Sequence, residues 1–285
     1  MILVTGAAGK TGRAVIHALA ARGEVVRALI KQDSQAAAVE AAGAAEWTSG
    51  SLLDRRTLDT AVAGVRAIYH ICPNMHPDEV AIGNAIIAAA RNAGVEQLVY
   101  HSVLHPQTET MPHHWNKLRV EERLLAAQLP FTILQPAVYM QNVLANWQAI
   151  VTAGVYRVPY PVSTRLSYVD ISDVAAAAAV VMTEGGHTNA TYELVGTPPL
   201  SQTEVAEIFS KVLDRPVTAQ EMPISAWERD AAAAGISGFA LNTLKQMFDY
   251  YREFGLAGNT NVLRWLLGRA PCSFEDFVLT LPQQP

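Results

Sequence analysis

One segment, Val4-Thr5-Gly6-Ala7-Ala8-Gly9-Lys10-Thr11-Gly12, limits what this chain can fold into more than any other. Its glycines follow the spacing G-x-x-G-x-x-G, between an apolar run, Ile2 to Thr5, and an amphipathic stretch, Thr11 to Ala21. A turn that joins a strand directly to a helix needs one glycine for the tight bend, one where the backbone approaches an anion, and one where helix packs on strand. The first turn of the helix then offers free N–H groups to that anion. The spacing predicts a dinucleotide's pyrophosphate at the opening of a βαβ unit, with a ligand-free tight turn as the plain alternative. A nucleotidase phosphate loop is disfavoured, because Lys10-Thr11 lacks the four-residue spacer and second glycine that such a loop places before it.

The alternation continues beyond this unit. A β-branched run Val25 to Ile30 precedes an Ala-rich helix Gln35 to Ala42, a short strand near Ala45 to Thr48, a helix Arg55 to Ala63 opened by Asp54, and a strand Val65 to Ile71. A helix Glu79 to Asn92, stopped by Gly94, leads to a strand Val95 to His101. Strands apolar on both faces that alternate with helices predict an α/β fold, a Rossmann-like doubly wound parallel sheet. After Pro106 and Pro112 we expect a helix Trp115 to Gln128, a strand Phe131 to Leu134, a helix Val138 to Val151, and a loop or edge strand in the Pro- and Tyr-rich segment 156–161. The expected organisation is a dinucleotide-binding domain over 1–153, with a returning helix and strand near 166–196, and a smaller, mostly helical substrate domain over 154–285. Ser201-Gln202-Thr203-Glu204 is a capping box for the first of the later helices.

Composition narrows the partners. Half of the 285 residues are hydrophobic and 16% are charged, so a large core is expected and wholesale disorder is not. Lys+Arg number 21 against 26 Asp+Glu, a net charge of −5, which argues against nucleic acid. The most apolar helical window, Val174 to Met182, is far shorter than the ~20 residues a bilayer needs, so no membrane partner is expected. The opening residues run into glycines without a basic or long apolar stretch, so the expectation is a chain without a leader. Cys72 and Cys272 are expected reduced, and the location cytoplasmic.

Which dinucleotide binds is set at the end of the second strand, where an acidic residue serves the ribose hydroxyls and a basic one a 2′-phosphate. Lys31 stands at that tip and Lys10 in the glycine loop, with Asp33 nearby, so NADP(H) is favoured over NAD(H).

Five stretches resemble the NmrA-like atypical short-chain dehydrogenase/reductases along nearly the whole chain. They are VTGAAGKTG, VVRALIK, NAIIAAARNAGVEQLVYHS from Asn84 to Ser102, KLRVEERLLAAQLPFTILQPAVYMQN from Lys117 to Asn142, and YVDISDVA from Tyr168 to Ala175; the ending Leu266 to Val278 fits as well. The resemblance implies a Rossmann-like fold and NADP(H), and either of two functions. One is reduction of a quinone or other small electrophile; the other is non-catalytic sensing of NADP(H) by a regulator that docks on a protein partner. Where the family usually has Arg at the 2′-phosphate, Lys31 keeps the charge without the bidentate fork. Where it often reads Gly-Asp-Leu beside the adenine, this chain reads Gly50-Ser51-Leu52. Cofactor contacts are expected at Gly6, Ala8, Gly9, Lys10, Thr11, Gly12, Lys31, Leu52, Cys72, Pro73, Lys117, Pro136 and Tyr139, and a substrate pocket at Tyr139 and Asn142.

Ordinary short-chain dehydrogenases donate a proton from the Tyr of a Tyr-x-x-x-Lys pair. Here the matching place reads His113-His114-Trp115-Asn116-Lys117. His113 lies four residues before Lys117 and shares its face if the helix begins at Pro112, making an imidazole the candidate acid, with His114 the next. The resemblance implies Lys117 beside the nicotinamide ribose; its plain alternative is an exposed pair with Glu121 at helical spacing. Ser102 stands at the tip of the fifth strand, where α/β sheets bind ligands and which matches the family's crevice position, with a capping serine as the plain alternative. A zinc site at His101 and His105 lacks a completing carboxylate motif, and no G-x-S-x-G elbow is present. The expected partner is therefore a small-molecule electrophile, and a homodimer is compatible with the sequence.

Overall fold

In the computed structural model, which describes residues 1–282, the chain up to residue 136 alternates strand and helix. The order is β1 (Ile2–Val4), α1 (Lys10–Ala21), β2 (Val26–Ile30), α2 (Ala36–Glu40), β3 (Glu46–Ser49), α3 (Arg55–Val62), β4 (Ala67–His70), α4 (Glu79–Ala93), β5 (Gln97–His101), α5 (Pro112–Leu125) and β6 (Phe131–Pro136). It continues through β7 (Val138–Tyr139), α6 (Trp147–Ala153), β8 (Val155–Val158), β9 (Arg165–Leu166), β10 (Tyr168–Val169), α7 (Ile171–Thr183) and β11 (Ala190–Leu194). Two units result. The first comprises 1–109, 113–136 and 171–192, and the second 110–112, 137–170 and the chain from 193 onward.

The main sheet runs β11-β6-β5-β4-β1-β2-β3, with β6 through β3 parallel. This is the Rossmann-like order, in which the chain reverses direction between β1 and β4 and opens a crevice at the carboxyl ends of the strands. Both faces are covered, so central strands are buried throughout, as in Ala67-Ile68-Tyr69-His70. One face packs Leu3, Ile68, Leu98 and Ile133 against Leu58, Ile86, Val120 and Leu124 from α3, α4 and α5. On the helices the buried positions recur every three or four residues, as in Gly12, Val15, Ile16 and Leu19 of α1. The sequence signals for ends hold. Asp54 accepts from the N–H of Arg56 and Thr57 at the start of α3, and Gly94 closes α4 in the left-handed conformation at φ 65°.

The second unit continues with β12 (Leu200–Ser201), α8 (Gln202–Val212), β13 (Thr218–Glu221), α9 (Ile224–Ala233), α10 (Gly238–Phe254), α11 (Asn261–Leu267) and α12 (Phe274–Leu279). The capping box at Ser201 and Glu204 is formed. The segment around Tyr156 to Pro161 is an edge element, since among the described residues β8 pairs only with β13. Its aromatic core joins Tyr156, Tyr168, Phe209 and Phe274, with edge-on ring centroids 5.1–5.8 Å apart.

Two element expectations change. The helix expected over 138–151 is instead β7, a 3₁₀ run Met140–Asn146 and then α6. Val138 and Tyr139 are held extended by pairing with Tyr168 and Val169, and Asn142 and Asn146 are weak helix formers, so a regular helix starts only at Trp147. In contrast α5 begins at Pro112, earlier than expected, because proline fits a first helical position where its missing N–H is not needed.

Candidate active site

The sheet order sets six strand ends side by side. From β2 to β5 they carry Lys31, Thr5-Gly6, Ile71-Cys72-Pro73 and Ser102. Lys31 and Ser102 are three strand spacings apart, about 14 Å, so a dinucleotide laid along the crevice meets both.

The glycine turn is shaped by contacts that exclude side chains. Gly6 has φ 58°, and a Cβ there would lie 2.8 Å from the Ile71 carbonyl oxygen; at Gly12 it would lie 2.3 Å from the Gly6 oxygen and 2.8 Å from Ala7 Cα. The turn is pinned to β4 by Thr5, whose Oγ1 accepts from Ile71 N–H at 3.0 Å and lies 2.7 Å from His70 Nδ1. Gly9 is the N-cap of α1, with no side-chain cap and no acidic residue in the first turn. The open helix end, flanked by exposed Lys10 and half-buried Ala8 and Thr11, therefore fits a phosphate. Lys31 is exposed, and the loop behind it is fixed by its backbone N–H donating to Gln35 Oε1 at 2.9 Å. Leu52 is half-buried in the turn after β3.

Beyond the turn lies a buried polar cluster. Glu79, the first residue of α4, is 3% exposed, and its Oε1 accepts from Lys117 Nζ at 3.0 Å and from the Tyr100 hydroxyl at 2.9 Å. Lys117 also donates to the His101 carbonyl at 3.3 Å, and its ammonium lies 5.5 Å from the centre of the Tyr100 ring. Burial alone would raise the Glu79 carboxyl, but the charge and hydrogen bond of Lys117 and the Tyr100 hydroxyl hold it below the usual carboxylate range. Burial, then Glu79, push the Tyr100 phenol well up, and the same causes keep the Cys72 thiol protonated. His101 sits 2.7 Å from the Tyr69 hydroxyl; burial lowers it to about 3, and lowers His70 to about 4.

A second group stands beside it. Ser102 O–H donates to Glu121 Oε1, and Gln135 Nε2 donates to both Glu121 oxygens at 3.0 and 3.1 Å. Burial raises the Glu121 carboxyl, and the bonds from Ser102 and Gln135 and the Lys117 charge do not offset it. The exposed Lys117–Glu121 pair is not formed: Lys117 bridges to Glu79 and is largely buried, leaving one cation among two buried carboxylates.

His113 and His114 lie in the first turn of α5, both buried, their rings edge-on at 4.4 Å. His114 Nδ1 is 3.0 Å from the His105 carbonyl oxygen, whereas His113 Nδ1 is buried without a partner. Burial lowers His113 to about 2 and His114 to about 4, so both are neutral imidazoles near pH 7, able to offer an N–H but not the charge of an imidazolium. Ser102, His113 and Lys117 thus share the first unit with the glycine turn, Cys72 and the end of β6 at Pro136. Tyr139 and Asn142 belong to the second unit, Tyr139 half-buried on β7 and Asn142 exposed on the 3₁₀ run. Sequence reasoning missed Glu79, Tyr100 and Gln135 and gave Glu121 only the role of a surface partner. The available signal was Glu79 itself, the one acid within a mainly apolar helix.

The model of the NmrA-like family matches residues 1–272. The chain belongs to the NmrA-like family. Among relatives of this NmrA-like chain, an NAD(P)H azoreductase of Xenophilus azovorans is 29% identical over 282 residues, covering 97% of this chain and 96% of the relative. Quinone oxidoreductase 2 of Escherichia coli is 29% identical over 236 residues, covering 82% and 80%. The crystal structure of the Citrobacter sp. triphenylmethane reductase complexed with NADP(H) superposes with a TM-score of 0.85 at 27% identity, covering 98% of this chain and 99% of that one. NmrA itself, a negative transcriptional regulator, shares the fold with a TM-score of 0.78 at 19% identity.

Proposed function

We propose that this chain is an NAD(P)H-dependent reductase that prefers NADPH and reduces a quinone or another small electrophile with a carbonyl-like or conjugated acceptor. The row of strand ends carries this reading: an uncapped helix start for the pyrophosphate, Lys31 for a 2′-phosphate at one end, and Lys117 and Ser102 at the other. Gly6, Ala8, Gly9, Lys10, Thr11 and Gly12 would hold the pyrophosphate, Leu52 the adenine side, and Cys72, Pro73 and Pro136 the nicotinamide side. The dinucleotide, when bound, supplies hydride. The protein's part would be orientation: Lys117 is held by Glu79 and the His101 carbonyl, which limits its movement. His113 offers a neutral N–H. The relatives named as reductases of azo compounds, quinones and triphenylmethane dyes support small aromatic acceptors.

The test is consumption of NADPH and NADH by the purified protein with a panel of quinones, azo dyes and aldehydes. Turnover with NADPH preferred is expected, and tight NADPH binding with no acceptor consumed would refute it. That second outcome is the sensor reading, which one observation favours: the position four residues before Lys117 holds a neutral histidine in place of a tyrosine.

A further inference from the structure

Reduction of a carbonyl or quinone oxygen consumes a proton as well as hydride, and the position four residues before Lys117 holds His113 in place of a proton-donating tyrosine. We propose that Glu121 stores this proton and passes it to the acceptor oxygen through the Ser102 hydroxyl. The proposal rests on the reductase reading above and deepens it.

The hydrogen bonds of the group set the path of transfer. Gln135 Nε2 is a donor and occupies both Glu121 oxygens from one side, so when Glu121 takes up a proton the bond that Ser102 O–H donates to Oε1 reverses, and Ser102 Oγ becomes the acceptor. Once Ser102 Oγ accepts that proton, its own O–H is free to turn from Glu121 toward the crevice at the end of β5. Charge balance supplies the proton. The charged and titratable groups facing Glu121 are Lys117, one turn earlier on α5, and Tyr100 on β5. Lys117 is bonded to Glu79 and Tyr100 stays a neutral phenol, so the single cation is already matched by one carboxylate. A second buried carboxylate has no charge left to balance it and holds a proton more tightly than an exposed one.

The step balances. Hydride reaches the acceptor and leaves an oxygen anion. The Ser102 O–H bond breaks as an O–H bond forms on that oxygen, the Glu121 O–H bond breaks as Ser102 regains its proton, and the Glu121 carboxylate is reprotonated by water. Glu121 acts through Ser102 and is a positioning and proton-holding residue; Ser102 is the one that meets the substrate.

The first readout needs no turnover. Infrared difference spectra of the ligand-free protein across a pH titration, wild type minus Glu121→Gln, are expected to show a protonated-carboxyl band that persists to higher pH than that of an ordinary glutamic acid. The second is kinetic. Ser102→Ala, which leaves Glu121 in place, is expected to keep that band and to lower kcat roughly a hundredfold or more, the scale of a positioned proton donor. Glu121→Gln is expected to match it, and the double variant to lose no more than either alone. Wild-type kcat falls as pH rises through the Glu121 titration, and Glu121→Gln lacks that limb. If the wild type turns over and no protonated carboxyl is seen, or the two losses multiply in the double variant, the relay is wrong while the reductase reading stands. If the wild type consumes no acceptor, the reductase reading falls and the relay with it.

Discussion

Replacing Lys117 with methionine keeps the length of the side chain and removes its charge, leaving Glu79 with the Tyr100 hydroxyl as its remaining side-chain donor among the bonds described. Glu79 is 3% exposed, so water cannot take over. Breaking a buried pair in this way costs about 3–5 kcal/mol, because the surviving charge stays buried and uncompensated. At about 2–4 °C per kcal/mol the first unit should melt roughly 6–20 °C lower. The loss should depend on pH. In the wild type the Glu79 carboxyl is held low, so its contribution is present above the unfolded value of about 4.5 and is lost as pH falls. In Lys117→Met burial outweighs the remaining Tyr100 bond and raises it, so the folded state binds the extra proton and part of the lost stability returns as pH falls. Thermal melts followed by circular dichroism at about pH 8 and pH 5 read both effects. A loss below about 1 kcal/mol, or the same loss at both pH values, would refute the argument.

Three further outcomes follow from the same geometry. His70, His101, His113 and His114 are held neutral by burial down to about 4, 3, 2 and 4, while the unfolded chain takes up their protons near 6.5. Stability should therefore be greatest above about pH 6.5 and fall by up to ~1.4 kcal/mol per pH unit for each histidine as pH drops toward 4, and a flat urea midpoint from about pH 7 to 5 would contradict this. Gly12→Ala places a Cβ 2.3 Å from the Gly6 oxygen and should destabilise by roughly 1–3 kcal/mol and weaken NADPH binding, whereas Gly185→Ala, which meets nothing within 4 Å, should be nearly silent in the same melts. Lys31→Ala should weaken NADPH by roughly ten- to a hundredfold, the worth of a charged hydrogen bond, and leave NADH affinity unchanged in a titration of each.

The architecture was legible because its signals are local. Gly6 and Gly12 mark the turn, Asp54 caps α3, Gly94 stops α4, and Ser201 with Glu204 opens α8, each within four residues of what it controls. The segment 138–151 misled for the opposite reason, since a two-residue pairing with Tyr168 and Val169, 30 residues away, overrides its helical pattern. The same divide runs through the site. Lys117 was visible from the family resemblance, and Ser102 from that resemblance and its place at a strand tip. Their partners were not, because Lys117 meets Glu79 across 38 residues and Ser102 meets Glu121 across 19. Periodicity offered Glu121 as the partner of Lys117, and only the packing of α4 against the same strand ends gives Lys117 to Glu79.

The most direct test of the account is a single turnover: protein in excess over NADPH, mixed rapidly with a quinone, and the absorbance of the reduced nicotinamide followed. The account predicts that bound NADPH is oxidised far faster than NADPH mixed with the quinone alone, and that Lys117→Met slows the step. Bound NADPH that persists as long as it does without protein would contradict it.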